Sequence, residues 1–167
     1  NTASTLSGGN LQWRHNGIHL GATGYYQQFN RTLEPGNEPY RRIYPKGRHF
    51  GVMGIHYGYS AYRFSAAGET AYSTAGKAFA TLHRAAWNIN RRYTLSAVQR
   101  YYAPFYHSFH AAALGENNNV QNENGVLLHL KSQPFDGWQL QSYVDFFYHK
   151  WPRYRMTHSS AGQEGMV

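Results

Sequence analysis

The residues that most invite a catalytic or metal-binding interpretation are ten histidines in a chain of 167 residues. His107 and His110 share one segment, and His15 and His19 flank a turn. A zinc site needs three or four converging ligands, commonly His together with Cys or a carboxylate. The sequence has neither a Cys pair nor an HExxH motif. We therefore predict scattered histidines, no metal site and no cofactor.

Ser108 beside His107, with Asp145 further along, has the residue types of a catalytic triad. A triad needs a hydrogen-bond relay between its members, which sequence adjacency alone does not supply. The chain also lacks a nucleophile elbow. We expect a protein that is not an enzyme, and we keep an outer-membrane barrel hydrolase as an alternative.

The composition is unusual for a soluble domain: 41% hydrophobic, 17% aromatic and only 14% charged, with 15 Tyr and 4 Trp. Tyr and Trp suit a boundary between hydrocarbon and water, as in the aromatic belts of membrane proteins. The alternative is a soluble, Tyr-rich β-barrel that binds an apolar ligand. The net charge of +8 is spread over single basic residues and pairs such as Arg41-Arg42, without a basic helix, so we predict no nucleic-acid partner.

The hydrophobic pattern has a period of two along most of the chain. In residues 18–27, one parity is apolar or small and the other is small or polar. No apolar run approaches about 20 residues, but a transmembrane strand needs only about 9–11 alternating residues. Asn16-Gly17 is the strongest short hairpin signal, because both residues tolerate the positive φ of a type I′ turn.

The turn signals divide the chain into eight candidate strands. Their ranges are 10–14, 18–29, 50–58, 62–73, 78–87, 93–102, 125–132 and 138–150. Short and long connections alternate, as they do in outer-membrane barrels. We predict an all-β, antiparallel up-and-down transmembrane β-barrel in which residues 1–167 form a single segment, with about eight strands here. We expect it to be part of a larger barrel and a fragment of a longer protein.

Aromatic residues stand at both ends of the candidate strands, which predicts two girdles. At the short-turn ends they are Trp13, Tyr62, Phe64, Trp87, Tyr93, Phe135 and Trp138. At the opposite ends they are Tyr26, Phe29, Phe50, Tyr72, Phe79, Tyr101, Tyr102, Tyr148 and Trp151.

Charged residues inside the strands fall on the parity opposite the apolar one, which predicts that they line a lumen. These candidates are Arg14, Glu69, Arg84, Arg100, Lys131 and Asp145. An Arg or Lys facing lipid at mid-bilayer would cost about 2–4 kcal/mol. Strand 78–87 is ambiguous, because either His83 or Arg84 must face lipid; we predict that His83 does.

Two long connections are candidates for contacts with other molecules. Segment 30–48 carries basic residues that suit lipopolysaccharide phosphates or a protein partner: Arg31, Arg41, Arg42 and Arg48. The favoured interpretation of this segment is a salt-bridged loop folded over the barrel mouth. Segment 103–124 is apolar and then Asn-rich, and is a candidate plug for the lumen.

Three segments carry a resemblance to a known class: Phe64–Tyr72 (FSAAGETAY), Arg100–Glu116 (RYYAPFYHSFHAAALGE) followed by QNENG at 121–125, and Trp138–Arg155 (WQLQSYVDFFYHKWPRYR). They resemble barrel segments of Bacteroidetes outer-membrane proteins, such as the C-terminal barrel of proteins that carry helix-hairpin-helix repeats. The resemblance implies a Gram-negative outer-membrane location and a porin-like wall. It implies no catalytic residues, and the DNA binding of such repeats would belong to a part outside this chain.

These observations together predict a channel, a transporter component or a membrane anchor in the bacterial outer membrane. Its expected partners are membrane lipid, with lipopolysaccharide or a protein partner at the long loops.

Overall fold

A computed structural model describes residues 3–115 and 119–166. It contains nine strands: β1 (Ser4–His15), β2 (Ile18–Leu33), β3 (Gly47–Ser60), β4 (Phe64–Ser73), β5 (Ala78–Asn88), β6 (Tyr93–Tyr102), β7 (Glu123–Ser132), β8 (Leu140–His149) and β9 (Ser160–Met166). A short 3-10 helix, Pro39–Arg41, interrupts the connection between β2 and β3. Every strand pairs antiparallel with the next, so the nine strands form one sheet in chain order. The prediction of an all-β, antiparallel, up-and-down fold is therefore confirmed.

The number and length of the strands differ from the prediction. There are nine strands and not eight, because Ser160–Met166 adds a strand along β8. β1 begins at Ser4, and β2 continues to Leu33 past an irregularity in its pairing with β3 between Gln28 and Leu33. Backbone hydrogen bonds extend these strands through sequence that has no apolar alternation.

The Asn16-Gly17 turn adopts the predicted conformation, with φ of 44° and 78°. The Gly17 carbonyl accepts a 2.8 Å hydrogen bond from the Ser60 N–H at the end of β3. A Cβ on Gly17 would lie 2.5 Å from the Ser60 carbonyl oxygen. Glycine is therefore required here both for its positive φ and for the close approach of a third strand.

The sheet is open within the described residues. β1 and β9 lie at its two edges and make no contact with each other. Because neighbours alternate in direction across nine strands, β1 and β9 run in the same direction. The described strands thus form an open sheet and do not by themselves close into a barrel. No helix among those residues has the length and apolarity needed to cross a membrane.

The register sorts the strand residues onto two faces. The face we call the open face carries Leu11, Ala22, Ile55 and their neighbours in register, and no other described part of the chain covers it as a second layer. The opposite face, which we call the covered face, lies partly beneath the connection 103–122. Burial of four apolar side chains beneath another layer of protein would have excluded their contact with lipid. These side chains lie on the open face, and none is buried: Ile18, Leu20, Leu140 and Val144.

Aromatic residues follow the open face at both ends of the strands. Near the short turns they include Trp13, Tyr59, Phe64, Trp87 and Tyr93, and near the long connections Tyr26, Tyr72, Phe79, Tyr101 and Tyr148. Three of the predicted girdle residues, Phe29, Phe50 and Tyr102, lie instead on the covered face. Phe50 and Tyr102 are buried there, because the 103–122 connection packs over them.

His83 lies on the open face and Arg84 on the covered face, as predicted for strand 78–87. The Nδ1 atom of His83 lies 3.2 Å from the Tyr57 hydroxyl, and the two rings stack. Gly68, which stands between them in register, makes this contact possible because a Cβ there would overlap both rings. The Tyr57 hydroxyl thus provides a hydrogen-bond partner for the His83 ring on the open face.

Candidate functional site

A buried cluster of three charged side chains lies on the covered face, where β6, β7 and β8 run side by side. Arg100 donates from Nη1 and Nη2 to the two oxygens of Asp145, each at 2.9 Å. Its Nε donates to Glu123 Oε1 at 2.5 Å. Arg100 is only 1% exposed. Bidentate pairing of this kind is strong and fixes the geometry of both partners.

The register explains why these three side chains meet. Arg100 pairs with Gly125 across β6 and β7, and Gly125 pairs in turn with Phe147 on β8. The Arg100 guanidinium lies over Gly125, where a Cβ would be 2.6 Å from Cζ. The absent side chain at Gly125 lets Arg100 reach across β7 to Asp145. The cluster is therefore built by register and one glycine.

Residues 103–115 fold over part of the covered face. The Tyr25 and Ser108 hydroxyls are 2.9 Å apart, and His110 Nε2 lies 3.1 Å from Gln27 Oε1. The Phe109 ring packs edge-on against Phe50 with centroids 5.0 Å apart. The segment that was the candidate plug thus contains a loop that covers part of this face. We call residues 103–115 the inward loop.

The charged cluster also supports the end of the inward loop. At Gly115 the backbone passes directly over Arg100 and Glu123, where a Cβ would overlap Glu123 Oε1. Leu114 and Tyr102 exchange hydrogen bonds, with the Tyr102 hydroxyl donating to the Leu114 carbonyl at 3.1 Å. The end of the loop is therefore fixed on the sheet at the level of the cluster.

His107 ties the inward loop to the neighbouring connection. Its Nε2 donates to the Ile43 carbonyl at 2.8 Å, while its buried Nδ1 has no hydrogen-bond partner among the described residues. Burial lowers the pKa of His107 below its ordinary value of 6.5, because charging the ring without water is costly. Burial likewise raises the pKa of Tyr106 to about 12. These two side chains of the inward loop are therefore neutral at neutral pH.

A second polar network holds the connection that follows β8. Asn122 and Trp151 exchange two hydrogen bonds, of 2.7 and 2.8 Å. His149 Nδ1 lies 2.8 Å from the Asn122 carbonyl oxygen, and Arg153 Nη1 donates to His149 Nε2 at 3.2 Å. The three long connections 34–46, 103–122 and 150–159 are therefore bonded to one another at one end of the sheet.

Comparison with protein-family models, curated proteins and solved structures gives no match.

All six predicted lumen residues lie on the covered face: Arg14, Glu69, Arg84, Arg100, Lys131 and Asp145. The structure brings only Arg100 and Asp145 together. Arg14, Arg84 and Asp145 share one register row across the sheet but stand on β1, β5 and β8. Sequence reasoning missed Glu123, because residues 121–124 were interpreted as loop and β7 begins at Glu123.

The predicted surface-loop residues are distributed differently from the prediction. Arg31 and Arg48 belong to β2 and β3, so the connecting loop is shorter than residues 30–48. Arg41 ends the 3-10 helix and pairs with Glu38 at 3.5 Å, and Arg42 follows it as the C-cap. The expectation of ion pairing in this loop is met at that one pair.

The candidate triad residues Ser108, His107 and Asp145 do not bond to one another. The Ser108 hydroxyl contacts Tyr25, His107 Nε2 bonds the Ile43 carbonyl, and both oxygens of Asp145 bond Arg100. Within residues 3–115 and 119–166, no group of three His, Cys, Asp or Glu side chains is arranged to hold a metal ion. The contacts that these side chains make join the inward loop to the sheet and to the neighbouring connection.

Proposed function

We propose that this chain forms part of the wall of a membrane-spanning β-barrel in the outer membrane of a Gram-negative bacterium. The open face contacts lipid, and the covered face borders a polar lumen that the inward loop narrows. Such a wall serves a channel or a transporter.

The observation that carries the proposal is the separation of charge between the two faces. Eight Asp, Glu, Lys or Arg side chains lie at paired strand positions, and all eight are on the covered face: Arg14, Glu69, Arg84, Arg100, Glu123, Lys131, Asp145 and Glu164. A face in contact with water has no reason to exclude charge, whereas hydrocarbon penalises each cation by about 2–4 kcal/mol at mid-bilayer.

The open face is also too apolar and too exposed for an ordinary soluble surface. Leu11 is 77% exposed and Ile55 is 66% exposed. Large contiguous apolar surfaces are rare on soluble monomers and mark contact with a membrane or a partner. Eight of the nine strands contain 10 to 16 residues, which is enough to cross a bilayer at the usual tilt.

The position of the inward loop favours a lumen on the covered face. In outer-membrane barrels the interior is polar and is narrowed or plugged by loops that fold into it. Here the loop packs on the charged face, at the end where the long connections meet. A soluble barrel that binds an apolar ligand would instead enclose the apolar face, and would place this loop outside.

The test compares adjacent residues of β1 that face opposite ways. Leu11 and Gln12 are both exposed in the structure, Leu11 on the open face and Gln12 on the covered face. Leu11 stands in register, through Ala22, with Ile55 near the middle of β3. We expect Leu11→Lys to destabilise the chain by about 2–4 kcal/mol in lipid vesicles. The matched variant Gln12→Lys should stay within about 0.5 kcal/mol of the parent.

The measurement is urea unfolding of the refolded full chain in vesicles, preceded by flotation of the vesicles on a density gradient. The proposal is supported if the parent chain floats with the vesicles and if the urea midpoint of Leu11→Lys lies below that of Gln12→Lys. Equal midpoints for the two variants, or a chain that stays monodisperse without detergent and does not float, would overturn it.

A further inference from the structure

The two rims of the sheet differ strongly in charge. The connections at the long-connection rim carry seven described basic side chains: Arg41, Arg42, Lys46, Lys77, Lys150, Arg153 and Arg155. Their described acidic side chains are Glu34 and Glu38. The short-turn rim carries Arg63, Arg91, Arg92 and Asp136. The described connections of the long-connection rim therefore carry more net positive charge than those of the short-turn rim, and a positive rim attracts anions.

A cleft of about 220 Å³ opens within this basic rim. Its wall includes the rings of Tyr40, Tyr44 and Tyr154 and the side chains of Asn119 and Arg153. The cleft lies between the 3-10 helix segment, the end of the 103–122 connection and the segment after β8. It is smaller than the sites that hold drug-sized ligands, and is of a size for one small ring.

The tyrosines of the cleft are arranged to present ring surface to a ligand. Tyr40 and Tyr154 meet edge to face, with centroids 5.3 Å apart and planes at 73°. The Arg41 guanidinium lies 5.5 Å from the Tyr40 ring centre, and that of Arg155 lies 5.2 Å from Tyr154. Tyr154 remains 62% exposed. A ligand here meets an aromatic surface and positive charge together.

We infer that this cleft binds an anionic sugar, such as a uronic acid or a sugar phosphate unit of a larger glycan. The apolar C–H face of a pyranose packs on a tyrosine ring, and amide groups match its hydroxyls. Guanidinium groups bind carboxylate or phosphate through paired hydrogen bonds. The inference deepens the proposed function by naming a ligand class at the barrel mouth. Binding itself does not require a membrane, so the two ideas fail separately.

The experiment titrates the full chain in neutral detergent micelles with soluble probes, using calorimetry. The probes are oligogalacturonate, the neutral oligogalactose, inorganic phosphate and lipopolysaccharide. We expect oligogalacturonate to bind, with affinity that falls as salt rises, and the neutral oligomer to bind at least tenfold more weakly. Tyr154→Ala should weaken oligogalacturonate binding by about tenfold, because it removes the ring on which the C–H face of the sugar packs.

The matched control is Tyr62→Ala. Tyr62 is also exposed and also lies under an arginine, with Arg63 at 5.7 Å from its ring centre, but it stands at the short-turn rim. This variant should bind like the parent. Circular dichroism of both variants checks that the sheet is retained.

Each remaining outcome has a defined meaning. Binding of both oligogalacturonate and lipopolysaccharide, each weakened by Tyr154→Ala, supports the cleft and shows that the sugar can come from the membrane. Equal binding of oligogalacturonate and inorganic phosphate overturns the inference, because charge alone then accounts for it. Lipopolysaccharide binding that Tyr154→Ala leaves unchanged, without oligogalacturonate binding, or equal losses in the two tyrosine variants, overturns it as well.

Discussion

Replacing Arg100 by Met tests whether the buried cluster holds the inward loop. The substitution removes the bidentate contact with Asp145 and the 2.5 Å contact with Glu123. A hydrogen bond to a charged group contributes about 1.5–3 kcal/mol, and removing one partner of a buried ion pair costs about 3–5 kcal/mol. We expect the free energy of unfolding to fall by an amount near the second range, because two buried carboxylates are left without their cation.

The matched control for that experiment is Arg84→Met. Arg84 lies on the same face but is exposed, so its loss should change stability by about 0.5 kcal/mol or less. The double variant Arg100→Met with Asp145→Leu should be more stable than Arg100→Met alone, since one stranded carboxylate is removed. Urea unfolding in detergent micelles measures all of these differences.

The experiment also reports on the loop. If the cluster fixes the loop end at Gly115, hydrogen exchange of the amides of residues 103–115 should accelerate in Arg100→Met before the sheet unfolds. A loss of about 1 kcal/mol or less for Arg100→Met, or a loss equal to that of Arg84→Met, would refute the reasoning.

Two further predictions concern the inward loop. Because the folded state lowers the pKa of His107, the unfolded or released loop binds the proton more readily, so the loop should lose stability as pH falls below 6.5. Hydrogen exchange of the loop amides, measured against pH, reports this loss. His107→Gln should flatten the pH dependence, and a profile that this variant leaves unchanged would contradict the prediction. Phe109→Ala removes the ring contacts with Phe29 and Phe50 and should cost about 1–3 kcal/mol, less than for a fully buried ring because Phe109 is partly exposed. If Phe109→Ala leaves both the urea midpoint and the exchange of the loop unchanged, this packing does not hold the loop.

Alternation and turn chemistry were sufficient to predict most of the sheet. Strand 93–102 was predicted at the bounds the structure shows, because its apolar parity runs from Tyr93 to Tyr101 with Gln99 as the single polar member. Ser160–Met166 was missed, since its sequence offers little apolar alternation and its pairing with β8 depends on the backbone. The first residues of β1 were missed for the same reason.

The faces of charged residues could be predicted, but their contacts could not. Parity alone placed Arg100 and Asp145 on the covered face. Their pairing depends on the register of β6, β7 and β8, and on the side chain that Gly125 lacks. A sequence without aligned relatives contains neither the register nor the inward path of a loop. Phe50 was therefore assigned to a girdle, although it is buried beneath Phe109.

The shared direction of the two edge strands restricts how a cylinder can be completed. A ring in which all neighbours are antiparallel contains an even number of strands, so the set bridging β1 to β9 has to be odd in number. A second copy of this sheet in the same membrane orientation does not meet that requirement. Each β9 would then meet a β1 pointing the same way, and both seams would be parallel.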